Sequence, residues 1–263
     1  MPRPVDLATR YGPWAIVAGA SEGLGAAFGE ALARRGLNLV LLARRGPELE
    51  SVAEVLRRDH GVQVRPVVLD LGQPGLEAEL RRATALLDVG VAVYNAALAP
   101  VGALVEQDPA RLRAVVDVNV HGPLTFARAL APGMVARKRG ALVLMSSLVG
   151  LRGTPRLAAY AASKAFGLRL AEGMWAELRP HGIDVVASCA GAIRTPGYAR
   201  TVQREAPGML DPAQVAERTL AALGRGPRAV PGLVNRVAGV LLERLLPSRL
   251  AIRVMAGNTK DLT

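Results

Sequence analysis

Three polar residues in the second half of the chain, Ser147, Tyr160 and Lys164, have the types and spacing needed to move a proton on and off a substrate oxygen. Tyr160 and Lys164 are four residues apart, so on a helix their side chains share one face. A cation one turn away favours the phenolate and lowers the tyrosine pKa from its ordinary value of about 10. Ser147 follows an apolar, strand-like run, where its hydroxyl can hold a carbonyl or alcohol oxygen beside the phenol. The three residues therefore predict acid–base chemistry on such an oxygen.

A glycine-rich turn near the N-terminus supplies a partner for that chemistry. The apolar run 14–18 leads into GASEGLG at 19–25 and then into a helical stretch, 26–35, that ends at Gly36. The glycines let the backbone approach a pyrophosphate, and the helix N-terminus offers free N–H groups and the positive end of its dipole. A glycine turn alone is also common in ordinary loops, but the order of strand, turn and helix predicts a dinucleotide site.

The elements that must position these residues follow from a regular alternation along the chain. Helical patterns such as 46–59 and 73–87 separate strand-like apolar runs at 14–18, 38–43, 63–69, 89–94, 141–146 and 183–188. This alternation predicts an α/β fold, with a parallel sheet between two layers of helices. Right-handed crossovers make the sheet doubly wound, with ligands outside the carboxyl ends of its strands. Ser147 and Asn95 both follow strand ends and are expected at that edge.

Taken in order, these motifs resemble those of the short-chain dehydrogenase/reductase family over about residues 12 to 225. The family's T-G-x-x-x-G-x-G matches residues 18–25, its N-N-A-G matches 94–97, and its P-G-x-x-x-T matches 190–195. Its Ser, Tyr and Lys and the structural Asn of the next long helix match Ser147, Tyr160, Lys164 and Asn119. Small residues replace the family's residues at some positions, since Ala18, Ala97 and Ala190 stand where the family has Thr, Gly and Pro. These small residues affect the fine geometry and leave the four matched polar positions intact.

The resemblance implies a single-domain, doubly wound Rossmann fold of about seven strands and assigns roles to the matched residues. Tyr160 is the general acid and base, Lys164 stabilises the tyrosinate and holds the nicotinamide ribose, and Ser147 donates to the substrate oxygen. Asn119 kinks its helix and holds water that links Lys164 to solvent. The alternatives are structural: a strand-end hydroxyl for Ser147, a packing residue for Tyr160, and a turn or cap residue for Asn119.

The end of the second strand-like run bears on the choice of cofactor. An enzyme that uses NAD usually has an acidic residue there for the ribose 2′-hydroxyl, and this chain has Arg44 and Arg45 instead. A guanidinium pairs well with a phosphate, and Ser21 can add a hydroxyl donor. NADP is therefore predicted over NAD; the alternative is that both arginines belong to a solvated helix start.

The family pattern also assigns the remaining cofactor contacts. Asp70 and Leu71 match its adenine-contacting pair, Asn95 lies along a ribose, and Thr195 contacts the nicotinamide carboxamide. Asp70 is equally well explained as a cap or turn residue, and Asn95 as a brace for its loop. The predicted cofactor residues are Gly19, Ser21, Gly23, Leu24, Gly25, Arg44, Arg45, Asp70, Leu71, Asn95, Tyr160, Lys164 and Thr195.

Charge and composition restrict the classes of partner. The 263 residues carry 33 basic and 22 acidic side chains, a net charge of +11, but only 3% are aromatic, so few can stack on bases. We therefore expect no nucleic-acid partner. The single cysteine, Cys189, is typical of a reducing, cytoplasmic compartment. His60, His121 and His181 are scattered without ligand spacing, so no metal site is predicted.

The last part of the chain, 226–263, is predicted to form an amphipathic extension that packs on the catalytic domain, 1–225. Apolar residues recur there at helical spacing between arginines, namely Val234, Val237, Leu241 and Leu245. This tail resembles those of family members that reduce steroid or long-chain acyl ketones, some of which lie on membranes. The apolar face of 229–256 has three candidate surfaces: its own domain, a second subunit, and a membrane interface.

The function implied by the resemblance is an NADP(H)-dependent oxidoreductase that interconverts a ketone or aldehyde and an alcohol. An apolar, lipid- or steroid-like substrate and a homodimer or homotetramer are expected. Two alternatives come from other classes: a non-catalytic NADP-binding sensor or scaffold, and a membrane-surface protein acting through its C-terminal helix. A sensor need not keep Ser147, Tyr160, Lys164 and Asn119 together, so their joint presence favours the enzyme.

Overall fold

A computed structural model describes residues 7–200, 205–259 and 262 and places a parallel sheet at the centre of the protein. Its strands are β1 (Trp14–Ala18), β2 (Asn38–Ala43), β3 (Val64–Val68), β4 (Val89–Tyr94), β5 (Gly140–Ser147), β6 (Ile183–Ala190) and β7 (Arg228–Ala229). Their order is β3-β2-β1-β4-β5-β6-β7, and every neighbouring pair is parallel. The chain runs outward from β1 to one edge and from β4 to the other, which confirms the predicted doubly wound fold.

Helices connect the strands and cover the sheet. The α-helices are α1 (Leu7–Tyr11), α2 (Gly23–Ala33), α3 (Gly46–His60), α4 (Leu76–Ala83), α5 (Pro109–Val116), α6 (Gly122–Arg137), α7 (Ala158–Leu178), α8 (Pro196–Ala199), α9 (Pro212–Leu220), α10 (Leu233–Val240) and α11 (Ser248–Thr259). Short 3₁₀ turns lie at Leu104–Glu106, Leu148–Leu151 and Arg179–His181, and π turns at Asp117–His121 and Leu241–Leu245.

The two faces of the sheet form two hydrophobic clusters, and β1 shows why its sequence reads as a continuous apolar run. Ala15 and Val17 pack with residues of α2, α3 and α9, whereas Ile16 and Ala18 pack with residues of α4, α6 and α7 on the opposite face. Successive residues of a strand point to opposite faces, so a strand covered on both sides must be apolar throughout.

Several boundaries differ from those expected from the sequence. The strands β5 and β6 extend to Ser147 and Ala190, so Ser147 is the last residue of its strand. The strand β7, of two residues, was not among the six expected runs, because so short a segment has no periodicity to detect. The helix α2 begins within the glycine-rich turn, at Gly23, and ends at Ala33, whereas 26–35 was expected.

The C-terminal segment is held against the rest of the chain by polar contacts to its backbone and side chains. Arg152 donates hydrogen bonds to the carbonyl oxygens of Leu242 (2.7 Å) and Glu243 (2.8 Å). Thr259 donates to the carbonyl of Pro155 at 3.0 Å, and an ion pair inside the segment joins Arg228 to Glu243 at 2.7 Å. The sheet itself continues into this segment through β7. Within the described residues, no helix combines the length and the apolar character needed to cross a bilayer.

A close backbone contact at Gly90 gives a test of this packing. Gly90 lies where the pairing of β1 and β4 shifts register, and a Cβ atom there would overlap the carbonyl oxygen of Tyr11. We expect Gly90→Ala to lower the free energy of unfolding by about 2–4 kcal/mol, because backbone atoms must move to admit the methyl group. Gly173→Ala is the matched control, since a Cβ atom at that position of α7 meets no atom within 4 Å. Equal urea-unfolding midpoints for the two variants would contradict the predicted contact.

Candidate active site

The three residues singled out by their spacing come together at the carboxyl end of β5. Ser147 is the last residue of this strand, and Tyr160 and Lys164 lie in the first two turns of α7. The Ser147 side chain lies close enough to the Tyr160 phenol to lower the pKa of that phenol through hydrogen bonding. The serine hydroxyl accepts from the backbone N–H of Val149 at 3.2 Å and donates to the carbonyl of Ala190 at 3.3 Å. These contacts hold the serine oxygen near the phenol, and its predicted contact with a substrate stays a prediction.

The start of α7 is locked against β5 by a close approach of two backbones. The Ser146 hydroxyl donates to the carbonyl of Lys164 at 2.8 Å. A Cβ atom at Gly150, in the 3₁₀ turn after β5, would lie 2.8 Å from the carbonyl carbon of Lys164. A side chain at position 150 would therefore push α7 away from the strand. This glycine sets the distance between the serine and the tyrosine-bearing helix.

The ammonium group of Lys164 is buried and donates a hydrogen bond to a backbone carbonyl of β5. Only 6% of the residue is exposed, and Nζ donates to the carbonyl oxygen of Met145 at 2.8 Å. The same atom lies 5.5 Å from the centre of the Tyr160 ring. Burial lowers the pKa of Lys164 from 10.5 to about 8, since desolvation disfavours the charged form.

The pKa of Tyr160 moves in the direction opposite to that expected from the sequence. Burial of the phenol raises its pKa from 10.0 to about 12, and the hydrogen bond with Ser147 opposes this rise. Proximity to a cation predicts a lower value, but the desolvation of the phenolate dominates here. The phenol of this structure is thus a group that holds its proton at neutral pH.

Asn119 lies in a π turn that interrupts the long helical run between α5 and α6. Its side-chain oxygen accepts from the backbone N–H of Leu98 at 2.8 Å, and its amide nitrogen donates to the carbonyl of Leu98 at 2.8 Å. The amide nitrogen also donates to the Ser163 hydroxyl at 3.0 Å. Asn119 therefore ties the loop after β4 to α7, beside Lys164. The predicted water link to Lys164 stays a prediction.

Tyr94 supports this π turn, a structural role that the sequence analysis did not assign to it. Its hydroxyl donates to the carbonyl of Val118 at 2.6 Å, and its ring meets Phe126 edge-on at 5.4 Å. A Cβ atom at Gly122 would overlap the tyrosine oxygen. The available signal was a tyrosine at 94 where the family pattern has asparagine.

Close contacts within the protein require the glycines of the turn 19–25, which we call the glycine cradle. Gly19 has φ +82°, and a Cβ atom there would lie 2.8 Å from the backbone of Ala96. A Cβ atom at Gly25 would overlap the carbonyl oxygen of Gly19, and one at Gly23 would lie 3.1 Å from a methyl carbon of Thr195. Asn95 donates from its side chain to the carbonyl of Gly19 at 3.0 Å. A glycine-rich turn at the N-terminus of α2, whose first N–H groups are not capped by the N-cap side chain, fits the pyrophosphate of a dinucleotide.

The predicted phosphate ligands Ser21 and Arg45 are brought together beside this cradle. The Arg45 guanidinium donates to the Ser21 hydroxyl at 3.1 Å. It also pairs with Glu22 at 3.0 Å and with Glu48 at 3.4 Å. Arg44 is exposed to solvent. The two carboxylates around Arg45 had no part in the sequence analysis.

Three other predicted cofactor residues make structural contacts of their own. The Asp70 carboxylate accepts from the backbone N–H of Gly72 at 2.9 Å, which is the turn contact named as the alternative. Leu71 is buried in the cluster on the α4 and α6 face of the sheet. Thr195 accepts from the backbone N–H of Tyr198 at 3.2 Å and so caps α8. Their contacts with a cofactor stay predictions.

The C-terminal segment reaches the same edge of the sheet through Asn235. Its amide nitrogen donates to the carbonyls of Pro231 (2.9 Å) and Gly208 (3.1 Å). A Cβ atom at Gly191, just after β6, would lie 2.6 Å from the Asn235 side-chain oxygen. Gly239 of α10 faces Leu148, the residue after Ser147. The sequence analysis missed Asn235, because asparagine within an apolar helical pattern reads as a solvent-facing residue.

Comparisons with known proteins identify the family and the fold of the chain. A family model described as short chain dehydrogenase matches residues 13–206. A very-long-chain 3-oxoacyl-CoA reductase of Podospora anserina is 37% identical over 182 residues; the match covers 67% of this chain and only 53% of that protein. A solved structure described as giving insights into 7beta-hydroxysteroid dehydrogenase stereoselectivity is 29% identical, with a TM-score of 0.88 over 95% of this chain and 98% of that one. A Sphingobium yanoikuyae short-chain dehydrogenase in complex with NADPH is 32% identical, with a TM-score of 0.78 over 84% and 88% of the two chains.

The buried cation at position 164 predicts a gain in stability when it is removed. Below pH 8 Lys164 is charged in both the folded and unfolded states, and the folded state bears the full desolvation cost. We expect Lys164→Met to stabilise the protein at pH 7 by roughly 2 kcal/mol, or about 5 °C in Tm, after the loss of one hydrogen bond.

The advantage of the methionine variant should depend on pH in a defined direction. Between pH 8 and 10.5 the folded wild type releases the Lys164 proton while the unfolded chain keeps it, so the wild type gains stability. The difference in Tm between the two proteins should therefore shrink from pH 7 to pH 10 in paired thermal-unfolding scans. A constant difference would show that charge burial is not its cause.

Proposed function

The chain belongs to the short-chain dehydrogenase family, and from that premise we propose that it is an oxidoreductase that uses a nicotinamide dinucleotide to interconvert a carbonyl group and an alcohol. The observation that carries this proposal is the position of two sites on one edge of the sheet. The group of Ser147, Tyr160 and Lys164 follows β5, and the glycine cradle follows β1. Carboxyl ends of parallel strands meet at one edge, so a dinucleotide bound in the cradle extends toward the phenol.

Different residues are proposed to contact different parts of the dinucleotide. The cradle of 19–25 and the N-terminus of α2 would hold the pyrophosphate, and Asn95, Lys164 and Thr195 the nicotinamide end. The pair of Arg45 and Ser21 supports NADP over NAD, because a guanidinium and a hydroxyl suit a 2′-phosphate. When bound, the nicotinamide ring supplies or accepts a hydride.

The chain's own residues donate the proton to the substrate oxygen and stabilise the charge that develops during the reaction. Tyr160, whose pKa is raised to about 12, keeps its proton at neutral pH and donates it to the oxygen during reduction. Ser147 donates a hydrogen bond to the same oxygen. Lys164 is charged below pH 8 and stabilises the tyrosinate that remains. Asn119 positions the loop after β4 against α7 through Leu98 and Ser163.

An apolar substrate is favoured by the surroundings of the proposed reaction centre and by the relatives. Leu148 and Val149 follow Ser147 directly, and α10 lies against Leu148. The similar proteins include one named for a hydroxysteroid and one named for a very-long-chain acyl group. We therefore propose a lipid- or steroid-like ketone or its alcohol. A cytoplasmic homodimer or homotetramer, with 1–225 as catalytic domain and 226–263 as extension, completes the proposal.

A second proposal concerns the outer face of the extension, which we infer to contact an anionic lipid surface. Large aliphatic side chains are exposed there, namely Leu233, Val234, Val237, Val240, Leu241, Leu245, Leu250, Ile252 and Val254. Among the described residues, none of the neighbouring Arg236, Arg244, Arg249 and Arg253 forms an ion pair. Pairing two copies of this face would bring these guanidinium groups together, whereas a negatively charged lipid surface complements them.

The proposed reaction is tested by removing one oxygen atom. Tyr160→Phe should reduce kcat for NADPH-dependent ketone reduction by about 10²–10⁴-fold, because the proton donor is lost. The Kd for NADPH, measured by fluorescence titration, should stay within about two-fold of the wild-type value. The substrates are ketones graded by chain length and ring content. Wild-type kcat in the phenylalanine variant would overturn the proposal, as would the absence of NADPH binding by the wild type.

The lipid contact is tested with vesicles of defined charge. We expect the wild type to sediment with phosphatidylserine-containing vesicles but weakly with phosphatidylcholine vesicles, and Val237→Glu/Leu245→Glu to lose this binding. Leu86→Glu is the matched control, because Leu86 is a fully exposed aliphatic side chain outside the extension. A dimer that the double variant dissociates, without vesicle binding by the wild type, would assign the face to a second copy instead.

A further inference from the structure

Glu22 occupies an unusual place in the glycine-rich turn. It is the N-cap residue of α2, with an extended backbone, yet its side chain makes no capping hydrogen bond to the helix. The carboxylate instead lies 3.0 Å from the Arg45 guanidinium and 3.3 Å from that of Arg200, at the end of α8. The N–H groups at the start of α2 are thus left for a ligand, and the negative charge is directed to the neighbouring arginine.

Arg45 is the guanidinium to which the proposed function assigns the 2′-phosphate of NADP. Glu22 is therefore a negative charge on the same cation that the phosphate must engage. Both side chains are partly exposed, at 40% for Arg45 and 35% for Glu22, so the carboxylate can be exchanged for a ligand without a large rearrangement. Arg200 remains as a partner for Glu22 after such an exchange.

We propose that Glu22 is a specificity-determining residue, which acts as an internal counter-ion of Arg45 beside the more distant Glu48 and weakens the preference for NADP over NAD. This inference rests on the proposed function, because it requires that Arg45 binds the 2′-phosphate. A phosphate-bearing dinucleotide must replace the carboxylate at Arg45, whereas a dinucleotide with a free 2′-hydroxyl leaves the ion pair in place. The glutamate therefore acts against one cofactor and leaves the other unaffected.

The size of the effect follows from the exposure of the pair. Ion pairs between partly exposed groups change an equilibrium by up to about five-fold. Glu22→Gln removes the charge and keeps the shape and hydrogen-bonding capacity of the side chain. We expect this variant to bind NADPH about three- to five-fold more tightly and NADH within two-fold of the wild type. Glu54→Gln, at an exposed acid of α3 that forms no ion pair with Arg45 within the described residues, is the matched control and should change neither constant.

The binding constants are measured by fluorescence titration of the reduced dinucleotides, without substrate. An unchanged ratio of the two constants in Glu22→Gln would overturn the inference. Arg45→Ser separates this failure from a failure of the proposed function: if Arg45→Ser itself leaves the ratio unchanged, the phosphate does not bind at Arg45.

A double-mutant cycle tests whether Glu22 acts through Arg45. In the Arg45→Ser background, Glu22→Gln should no longer tighten NADPH binding, because the cation that the carboxylate neutralises is absent. The same three- to five-fold gain in both backgrounds would show that Glu22 repels the phosphate directly, and this would overturn the counter-ion role.

Discussion

The burial of one ammonium group is the constraint on which the proposed site depends. Lys164 lies inside the protein with its charge held by the carbonyl of Met145, so its position is set by the strand and not by the tyrosine beside it. A buried cation with one hydrogen bond is unfavourable for stability, and the surrounding contacts keep it there. The Ser146 hydroxyl and the missing side chain of Gly150 hold α7 against β5 at this point. The burial of Lys164 lowers the stability of the protein, and the same burial places the ammonium group beside Tyr160, where its proposed role requires it.

The pKa values in the site follow from the same burial. Desolvation lowers the pKa of the lysine to about 8 and raises that of the tyrosine to about 12, so two values that are nearly equal for free side chains move apart. The phenol then holds its proton while the ammonium is still charged over the neutral range. This is the state required for delivering a proton to a developing alkoxide, and Ser147 is already in contact with the phenol.

The proposed nucleotide site combines glycines in close backbone contact with charged side chains that are partly exposed. Gly19 and Gly25 approach other backbone atoms so closely that only hydrogen fits at their α-carbons. Arg45 lies beside this turn with two carboxylates around it, so its charge is shared before any ligand arrives. The extension reaches the same edge of the sheet, where Asn235 of α10 contacts the segment that follows β6. Its outer face stays apolar and bordered by arginines.

The sequence by itself determined the fold class, the order of elements and the identity of the serine, tyrosine and lysine that meet. These depend on alternation and on spacings of a few residues, and local periodicity records both. The extents of β5 and β6 and the two-residue β7 lay beyond that signal, since pairing with neighbouring strands fixes where a strand ends. Only the tertiary structure decided the direction of the Tyr160 pKa, the link from Asn119 to Leu98 and Ser163, and the pairing of Glu22 with Arg45. Desolvation and contact depend on which atoms are close in space, and residues far apart in the chain become neighbours only when the sheet and its helices pack together.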